Sequence, residues 1–179
     1  MTSDDRANIQ TLDTPTRIRA MEVKRICRDV AGADIFIYCG ERTLAEQAKL
    51  FRQSRTTAEI RSRQQSLRDR GFDFLADIID SVGVQDGTIG QHVTKAGPGE
   101  SWHQYKSAFD SVPRVGGQLM WNKDHPHWEV YSSAAELVGL TWAGNWKTFV
   151  EYPHCQLHTA SNPINYYKTP SVVLEALGI

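Results

Sequence analysis

The order of apolar and polar residues along this chain predicts a mixture of helices and strands. Apolar positions at three- and four-residue spacing predict helices over 14–30, from Thr43 onward, over 72–82 and over 132–140. Short runs of β-branched and aromatic residues predict strands over 35–39, 108–112, 118–121 and 149–157. Because the two kinds of element do not alternate regularly, the pattern favours an α+β fold over a doubly wound parallel sheet.

Local signals indicate where elements begin and where the chain forms loops. Thr43 is a good N-cap, and Glu46 three residues later completes the spacing of a capping box. Residues 1–13 are polar and are expected to be loose. A loop is predicted at a cluster of glycines and one proline, namely Gly87, Gly90, Gly97, Pro98 and Gly99. Six arginines lie within 52–70, where we expect a solvated helix face rather than a site for an anionic wall polymer.

The length and composition fit one globular domain. The chain has 179 residues, of which 40% are hydrophobic and 23% are charged, so it can bury a core without disulfide or metal staples. We predict a single domain over 1–179, with a core of about 14–158 and terminal extensions at 1–13 and 159–179.

Charge and cysteine usage exclude several classes of function. Lys and Arg total 20 and Asp and Glu total 21, a formal charge of −1, whereas dedicated nucleic-acid-binding domains are usually basic. The chain has no apolar run of the length that spans a bilayer, and its first residues lack the basic and apolar regions of a Sec signal peptide. Three cysteines without a C-x-x-C pair predict thiols in a reducing compartment, so a metal would have to be held by histidines and carboxylates.

A distributed set of histidines and carboxylates is the candidate for chemistry. His103, Asp110 and His154 would supply two nitrogen ligands and one oxygen ligand, a common catalytic zinc shell that leaves a position for water. Glu151 could act as general base. On a regular strand, residues 151 and 154 would point to opposite faces, but Pro153 makes an irregular segment credible. Spacing alone leaves four other histidines open as ligands: His92, His125, His127 and His158.

Several motifs follow one another in an order that identifies a family. They are 39–47 (Cys-Gly-Glu-Arg-Thr-Leu-Ala-Glu-Gln), 93–96 (Val-Thr-Lys-Ala), 101–103 (Ser-Trp-His), 108–110 (Ala-Phe-Asp), 139–146 (Gly-Leu-Thr-Trp-Ala-Gly-Asn-Trp) and 151–154 (Glu-Tyr-Pro-His). This series resembles the zinc DD-peptidase-like metallopeptidases. It resembles most the L-alanyl-D-glutamate endopeptidase branch, which includes bacteriophage endolysins. The resemblance covers roughly residues 30–158 and implies a small antiparallel sheet flanked by helices, the Hedgehog/DD-peptidase-like zinc fold.

The resemblance also implies roles for individual residues. His103, Asp110 and His154 would be the Zn²⁺ ligands, Glu151 the catalytic base, and Ser101 a substrate contact in the cleft. Arg42 would hold a substrate carboxylate, which suits a guanidinium because it can form two parallel hydrogen bonds. The chain departs from the family at Lys106, where the pattern has a glycine, the residue that best tolerates an unusual backbone conformation.

By this resemblance, the chain is expected to be a zinc metallopeptidase that hydrolyses peptidoglycan stem peptides as a phage-type endolysin, with the bond between L-Ala and D-Glu as the expected cleavage site. Two alternatives remain. The first is a D-Ala-D-Ala carboxypeptidase or dipeptidase of the same fold, and the second is a catalytically silent wall-binding module.

The same resemblance sets the expected partners and location. The partner is the peptidoglycan stem peptide, with no nucleic acid and no membrane insertion, and we expect a monomer. Without a Sec signal, the protein is expected to be made in the host cytoplasm and to act on the cell wall or periplasm after release.

Overall fold

The computed structural model describes residues 3–83 and 92–179. Its helices are α1 Ser3–Gln10, α2 Thr14–Ala31, α3 Leu44–Arg52, α4 Thr57–Arg68, α5 Asp73–Ser81, α6 His127–Leu137, α7 Pro163–Tyr167 and α8 Pro170–Leu177. Its strands are β1 Asp34–Cys39, β2 Ala108–Val115, β3 Gln118–Leu119, β4 Thr141–Trp142 and β5 His154–Gln156. Short 3₁₀ helices span Trp102–Tyr105 and Ala143–Asn145. The α+β class with a small antiparallel sheet flanked by helices is therefore confirmed.

The described chain divides into two compact units. The first contains the residues up to Glu41 together with Lys106–Thr159, and the second contains Arg42–Tyr105 together with Ala160–Ile179. The assignment of 1–179 to a single domain stays a prediction. The predicted loop glycines Gly87 and Gly90 lie outside the described residues. None of the helices in the described ranges is both long and apolar enough to cross a membrane.

The sheet of the first unit is antiparallel throughout. Its order is β1-β2-β5-β4, with β3 paired to β2. The strand β1 lies at one end of this order, where its backbone groups need other partners. The α1 side chains provide them, because Asp5 accepts from the Ile37 amide at 3.0 Å and Asn8 donates to the Ile37 carbonyl at 3.1 Å.

The loose conformation expected for residues 1–13 is therefore wrong for residues 3–13, the part of this segment that the structure describes. Asp5 is fully buried, and Ile9 and Leu12 belong to the hydrophobic core of the first unit. The apolar pattern did not predict α1, because this helix is mostly polar. It is held largely by side-chain hydrogen bonds to β1 rather than by a broad apolar stripe.

The start of α2 is connected to the segment that leads into β2. Asp13 is the N-cap, and its Oδ1 accepts from the Thr16 amide at 2.7 Å. Its Oδ2 accepts from the Ser107 hydroxyl at 2.7 Å, and its amide donates to the Lys106 carbonyl at 3.0 Å. Asp13 thus fixes both the N-terminus of α2 and the backbone just before β2.

The predicted helix over 132–140 begins earlier than expected. In the structure α6 begins at His127, and the buried side chains Trp128, Tyr131 and Ala135 lie along its inner face. The apolar spacing therefore reaches back to Trp128, and Ser132 is an interior residue rather than a cap. The helix ends before Gly139, whose φ of 76° is the left-handed conformation common after a helix.

The second unit is a helical cluster around its own core. The capping box at Thr43 and Glu46 is confirmed, and Thr56 and Glu59 form a second one at the start of α4. The core side chains come from α3, α4, α5 and the C-terminal helices: Phe51, Leu67, Phe72, Leu75, Ile79, Ile164 and Val173. The C-terminal segment, expected as an extension, therefore contributes to the core of this unit.

Candidate active site

Asp110 and His154 form a buried pair on neighbouring strands. They are register partners of β2 and β5, and Oδ1 of Asp110 lies 3.1 Å from Nδ1 of His154. Asp110 is only 9% exposed and His154 only 6% exposed. Two ligands of a tetrahedral zinc lie about 3.4 Å apart when each bond is about 2.1 Å long. The spacing and chemistry of this pair therefore fit two ligands of one small cation.

A cysteine that the sequence analysis set aside lies next to this pair. The register between β1 and β2 shifts between Ile37 and Cys39, so that Cys39 becomes the partner of Asp110. The ligand atoms of Cys39 and Asp110 are within 4.8 Å of each other. No local sequence signal revealed this, because the irregularity at Tyr38 decides which residue faces Asp110.

The other two cysteines are core residues. All three are thiols, as predicted. Burial raises the pKa of Cys27 to about 12 and that of Cys155 to about 12. Thiols that resist deprotonation in this way are poor metal ligands.

His103 lies in the second unit, on the 3₁₀ helix Trp102–Tyr105, and is 1% exposed. Its carbonyl accepts from the Arg42 amide at 3.3 Å. The helix is anchored by Trp102, whose indole donates to the Ala160 carbonyl at 2.6 Å and whose ring lies against Tyr105 and Tyr166. The backbone of His103 is thus firmly held, and its role as a ligand stays a prediction.

Glu151 and His154 lie at the two ends of a tight turn rather than on one strand. The His154 amide donates to the Glu151 carbonyl at 3.2 Å, and β5 begins only at His154. The predicted strand over 149–157 is therefore wrong before His154: the chain turns at Tyr152 and Pro153, and Phe149 has a φ of 58°. The turn removes the alternation that would send residues 151 and 154 to opposite faces.

The glycine- and tryptophan-containing run at 139–146 frames that turn. Trp142 donates from its indole nitrogen to the Tyr152 carbonyl at 2.6 Å, and the Ala143 carbonyl accepts from the Glu151 amide at 3.1 Å. Gly144 packs so closely on Trp142 that an added Cβ would lie 2.1 Å from the ring. The Trp146 ring lies 5.6 Å from the His154 ring. The motif that resembles the endopeptidase branch is thus a structural support for Glu151.

Two buried glutamines connect the predicted substrate residues Arg42 and Ser101. Arg42 donates from Nη1 to Gln47 Oε1 at 2.9 Å, and Gln104 donates to the same oxygen at 3.2 Å. Gln104 Oε1 in turn accepts from the Ser101 amide at 3.1 Å. Gln47 is fully buried and also donates to the Ala96 carbonyl at 2.7 Å. No local sequence signal marks Gln104, whose role becomes visible only from its burial in the fold.

Lys106 has a left-handed backbone, with a φ of 59°. This conformation explains the family's glycine at this position, since side chains with a Cβ are strained there. Its carbonyl is held by the Asp13 amide. Its ammonium lies 3.6 Å from Glu41, and both side chains are well exposed, so this ion pair adds little stability.

The four histidines that spacing left open have other surroundings. The Nδ1 atoms of His125 and His127 lie 3.0 Å apart, and His127 Nε2 lies 3.2 Å from the Ala31 carbonyl. His92 is exposed near the Ser54 carbonyl. Burial lowers the pKa of His158. Within the first unit, His154 is the histidine whose ring nitrogen meets the Asp110 carboxylate.

Most of the predicted site residues lie in a segment that matches a known protein family. The sequence model of a family described as D-alanyl-D-alanine carboxypeptidase matches residues 94–157. That range contains Ser101, His103, Asp110, Glu151 and His154 but not Arg42.

Two individual proteins are similar over most of this chain. The peptidoglycan L-alanyl-D-glutamate endopeptidase CwlK of Bacillus subtilis is 26% identical over 134 residues, which are 70% of this chain and 62% of CwlK. The crystal structure of the Serratia marcescens L-Ala D-Glu endopeptidase ChiX is similar with a TM-score of 0.49 and 16% identity, covering 94% of this chain and 93% of that one. The family match and the CwlK match confirm the resemblance to the DD-peptidase-like metallopeptidases, and to their L-alanyl-D-glutamate endopeptidase branch, that the ordered motifs predicted.

Proposed function

We propose that this chain is a zinc-dependent peptidase that hydrolyses the peptide stems of bacterial peptidoglycan at the bond between L-Ala and D-Glu. The observation that carries the proposal is the buried pair of Asp110 and His154, 3.1 Å apart, with the Glu151 turn directly before His154. All three residues lie in the segment that matches the peptidase family.

The donor set supports zinc as the cofactor. A carboxylate oxygen and imidazole nitrogens are ligands that Zn²⁺ prefers, and a catalytic site uses three of them. Asp110 and His154 would hold the ion together with His103, the remaining histidine of the family motif. A zinc ion bound there would lower the pKa of its water to about 7 and polarise the scissile carbonyl.

The other residues perform the proton transfer and the positioning. Glu151 would accept the proton of the attacking water through its carboxylate and then donate it to the leaving amine. The backbone hydrogen bonds of Glu151 to Ala143 and His154 fix the backbone position from which this carboxylate extends. Arg42 would bind a substrate carboxylate, and its bond to the buried Gln47 orients the guanidinium. Ser101 would contact the substrate backbone.

The choice of bond rests on which similarity extends further. The matched family is described as a D-alanyl-D-alanine carboxypeptidase over 94–157, whereas CwlK, which is named an L-alanyl-D-glutamate endopeptidase, is similar over 134 residues. The run at 139–146 also favours the endopeptidase branch. The phage endolysin role, the release to the cell wall and the monomeric state stay predictions.

Analysis of the products formed from purified peptidoglycan tests the proposal. We expect a new D-Glu amino terminus and a new L-Ala carboxyl terminus, detected by mass spectrometry, and none with Asp110→Ala. Release of D-Ala or of the D-Ala-D-Ala dipeptide would instead support the carboxypeptidase or dipeptidase alternative. Sedimentation with cell walls without any product would support the silent wall-binding module.

A further inference from the structure

Both ring nitrogens of His154 have a partner in the structure. Nδ1 lies 3.1 Å from Asp110 Oδ1, and Nε2 lies 3.1 Å from Gln156 Oε1. Gln156 is 1% exposed. It lies two residues after His154 on β5, so the two side chains share one face of the strand.

The amide orientation of Gln156 is fixed by a second contact. Its nitrogen Nε2 donates to the His158 carbonyl at 2.5 Å. A carbonyl oxygen only accepts hydrogen bonds, so the amide nitrogen of Gln156 has to face His158, and the amide oxygen has to face His154. Because Oε1 is itself only an acceptor, its contact with His154 is a hydrogen bond only when Nε2 carries a proton.

This proton position decides what faces Asp110. In a neutral imidazole with Nε2 protonated, Nδ1 carries a lone pair. A lone pair and a carboxylate oxygen 3.1 Å apart are two acceptors directed at each other in a buried site. Such a contact is favourable only when a positive charge lies between the two atoms, either a proton or a metal cation.

We infer that Gln156 is a positioning residue that holds His154 in the Nε2-protonated form and thereby presents Nδ1, beside Asp110, as a metal ligand. The inference builds on the zinc site of the proposed function. Gln156 is a buried amide two residues along β5 from that ligand.

Three variants separate this role from a general effect on folding. Gln156→Leu removes the acceptor with little change in volume, whereas Gln156→Glu keeps an oxygen that can accept from Nε2. Gln64→Leu is the matched control, because Gln64 is also a buried glutamine and donates to the Ala76 carbonyl at 3.2 Å in the second unit. Gln156→Asn, which shortens the reach of the amide, replaces Gln156→Leu if the latter does not fold.

Zinc affinity is the first measurement, made by competition with a chromophoric chelator. We expect Gln156→Leu to weaken zinc binding by about 10- to 100-fold, the range found when the outer partner of a ligating histidine is removed. Gln156→Asn should show a loss in the same direction. Gln156→Glu should lose less affinity than Gln156→Leu, because it keeps the acceptor for Nε2 although it loses the donor to the His158 carbonyl. Gln64→Leu should stay within a few-fold of the unmodified protein.

The second measurement is the position of the His154 proton in the metal-free chain, read from ¹⁵N chemical shifts by long-range ¹H–¹⁵N NMR. At a pH where the ring carries a single proton, the unmodified protein should show a larger population with Nε2 protonated than Gln156→Leu, which should shift toward Nδ1 protonation. Unchanged zinc affinity together with an unchanged proton position in a folded Gln156→Leu variant would overturn the inference. Tight zinc binding that depends on Gln156, without cleavage of peptidoglycan, would overturn the proposed function alone.

Discussion

The indole nitrogen of Trp142 donates a hydrogen bond of 2.6 Å to the carbonyl of Tyr152, the residue that follows Glu151. Together with the bond between the Ala143 carbonyl and the Glu151 amide, it holds both sides of the turn that carries the proposed base. Trp142 is 8% exposed, so water could not readily replace its indole N–H as the donor to the Tyr152 carbonyl if the indole were removed.

Trp142→Phe should therefore misplace Glu151 without removing a reacting group. We expect a fall in kcat of about tenfold, equivalent to about 1.4 kcal/mol, with zinc content unchanged. Stability should fall by about 1–3 kcal/mol, because the Tyr152 carbonyl loses its partner. Steady-state kinetics on a defined stem peptide and thermal unfolding measure the two effects.

Trp128→Phe is the matched control for this effect. Trp128 is also buried, and its indole donates to the Met120 carbonyl at 3.0 Å. It should lose comparable stability while kcat stays within about twofold. Equal losses of kcat in both variants would show that the effect of Trp142 is one of general stability.

The metal ligands can be tested by metal content after dialysis. His103→Ala, Asp110→Ala and His154→Ala should each lower the zinc content strongly from one ion per chain, because each removes one of three protein ligands. His125→Ala and His127→Ala should retain the zinc. Loss of zinc from these two variants, with retention in His103→Ala, would contradict the assignment.

Glu151→Gln tests the proposed general base. The amide has nearly the same shape but cannot accept the proton of the attacking water, so turnover should fall by about 10²–10⁴-fold. Zinc content and melting temperature should stay unchanged. Glu129→Gln, an exposed position at the start of α6, is the control and should keep full activity. Activity close to that of the unmodified protein in zinc-loaded Glu151→Gln would exclude the role.

The parts of the fold that follow from short-range signals could be predicted from the sequence. The capping box of α3 depends on residues three positions apart, and β1 is a continuous β-branched and aromatic run. The start of α6 was predicted five residues too late, because Ser132 resembles a cap while Trp128 and Tyr131 already continue the apolar period. The helix α1 was missed because its hydrogen-bond partners lie on β1.

The site itself could be predicted only as a set of residue types. Asp110 and His154 are 44 residues apart, and their contact depends on the register between β2 and β5, which no local pattern specifies. The ordered family motifs supplied this pairing. They gave no indication of Cys39 beside Asp110, or of Gln156 behind His154, since a shifted register and a buried amide become visible only in the folded chain.

Lys106→Gly should relieve the strain of the left-handed backbone. An L-residue at a φ of 59° is disfavoured by about 1–2 kcal/mol, and glycine's extra freedom in the unfolded chain offsets about 0.5–1 kcal/mol of that gain. We therefore expect stability to rise by up to about 1.5 kcal/mol, with activity preserved or raised. Chemical denaturation and steady-state kinetics check the two expectations.

Lys168→Gly is the control for the backbone effect, because Lys168 has a φ of 70° in the second unit. Its ψ of −36° differs from that of the left-handed helix, so the size of the gain need not match, but Lys168→Gly should also gain stability and should leave kcat/KM unchanged. A loss of activity of more than about tenfold in Lys106→Gly, or about 1.4 kcal/mol of transition-state stabilisation, would show instead that the Lys106 amine takes part in the reaction.

Arg42 allows a test of which bond is cut. D-Glu linked through its γ-carboxyl keeps its α-carboxylate, and a guanidinium can bind that group through two parallel hydrogen bonds. Gln47 holds Arg42 Nη1 at 2.9 Å and is itself anchored to the Ala96 carbonyl, so the guanidinium is positioned before substrate binds. Arg42→Ala should therefore raise KM and lower kcat/KM with zinc retained. Arg42→Lys should restore only part of the activity, because an ammonium lacks the planar fork.

Arg61→Ala, an exposed arginine of α4, is the charge-matched control and should change neither constant. Mass spectrometry of a defined stem peptide reports the products, and release of terminal D-Ala with an intact L-Ala–D-Glu bond would contradict the assignment.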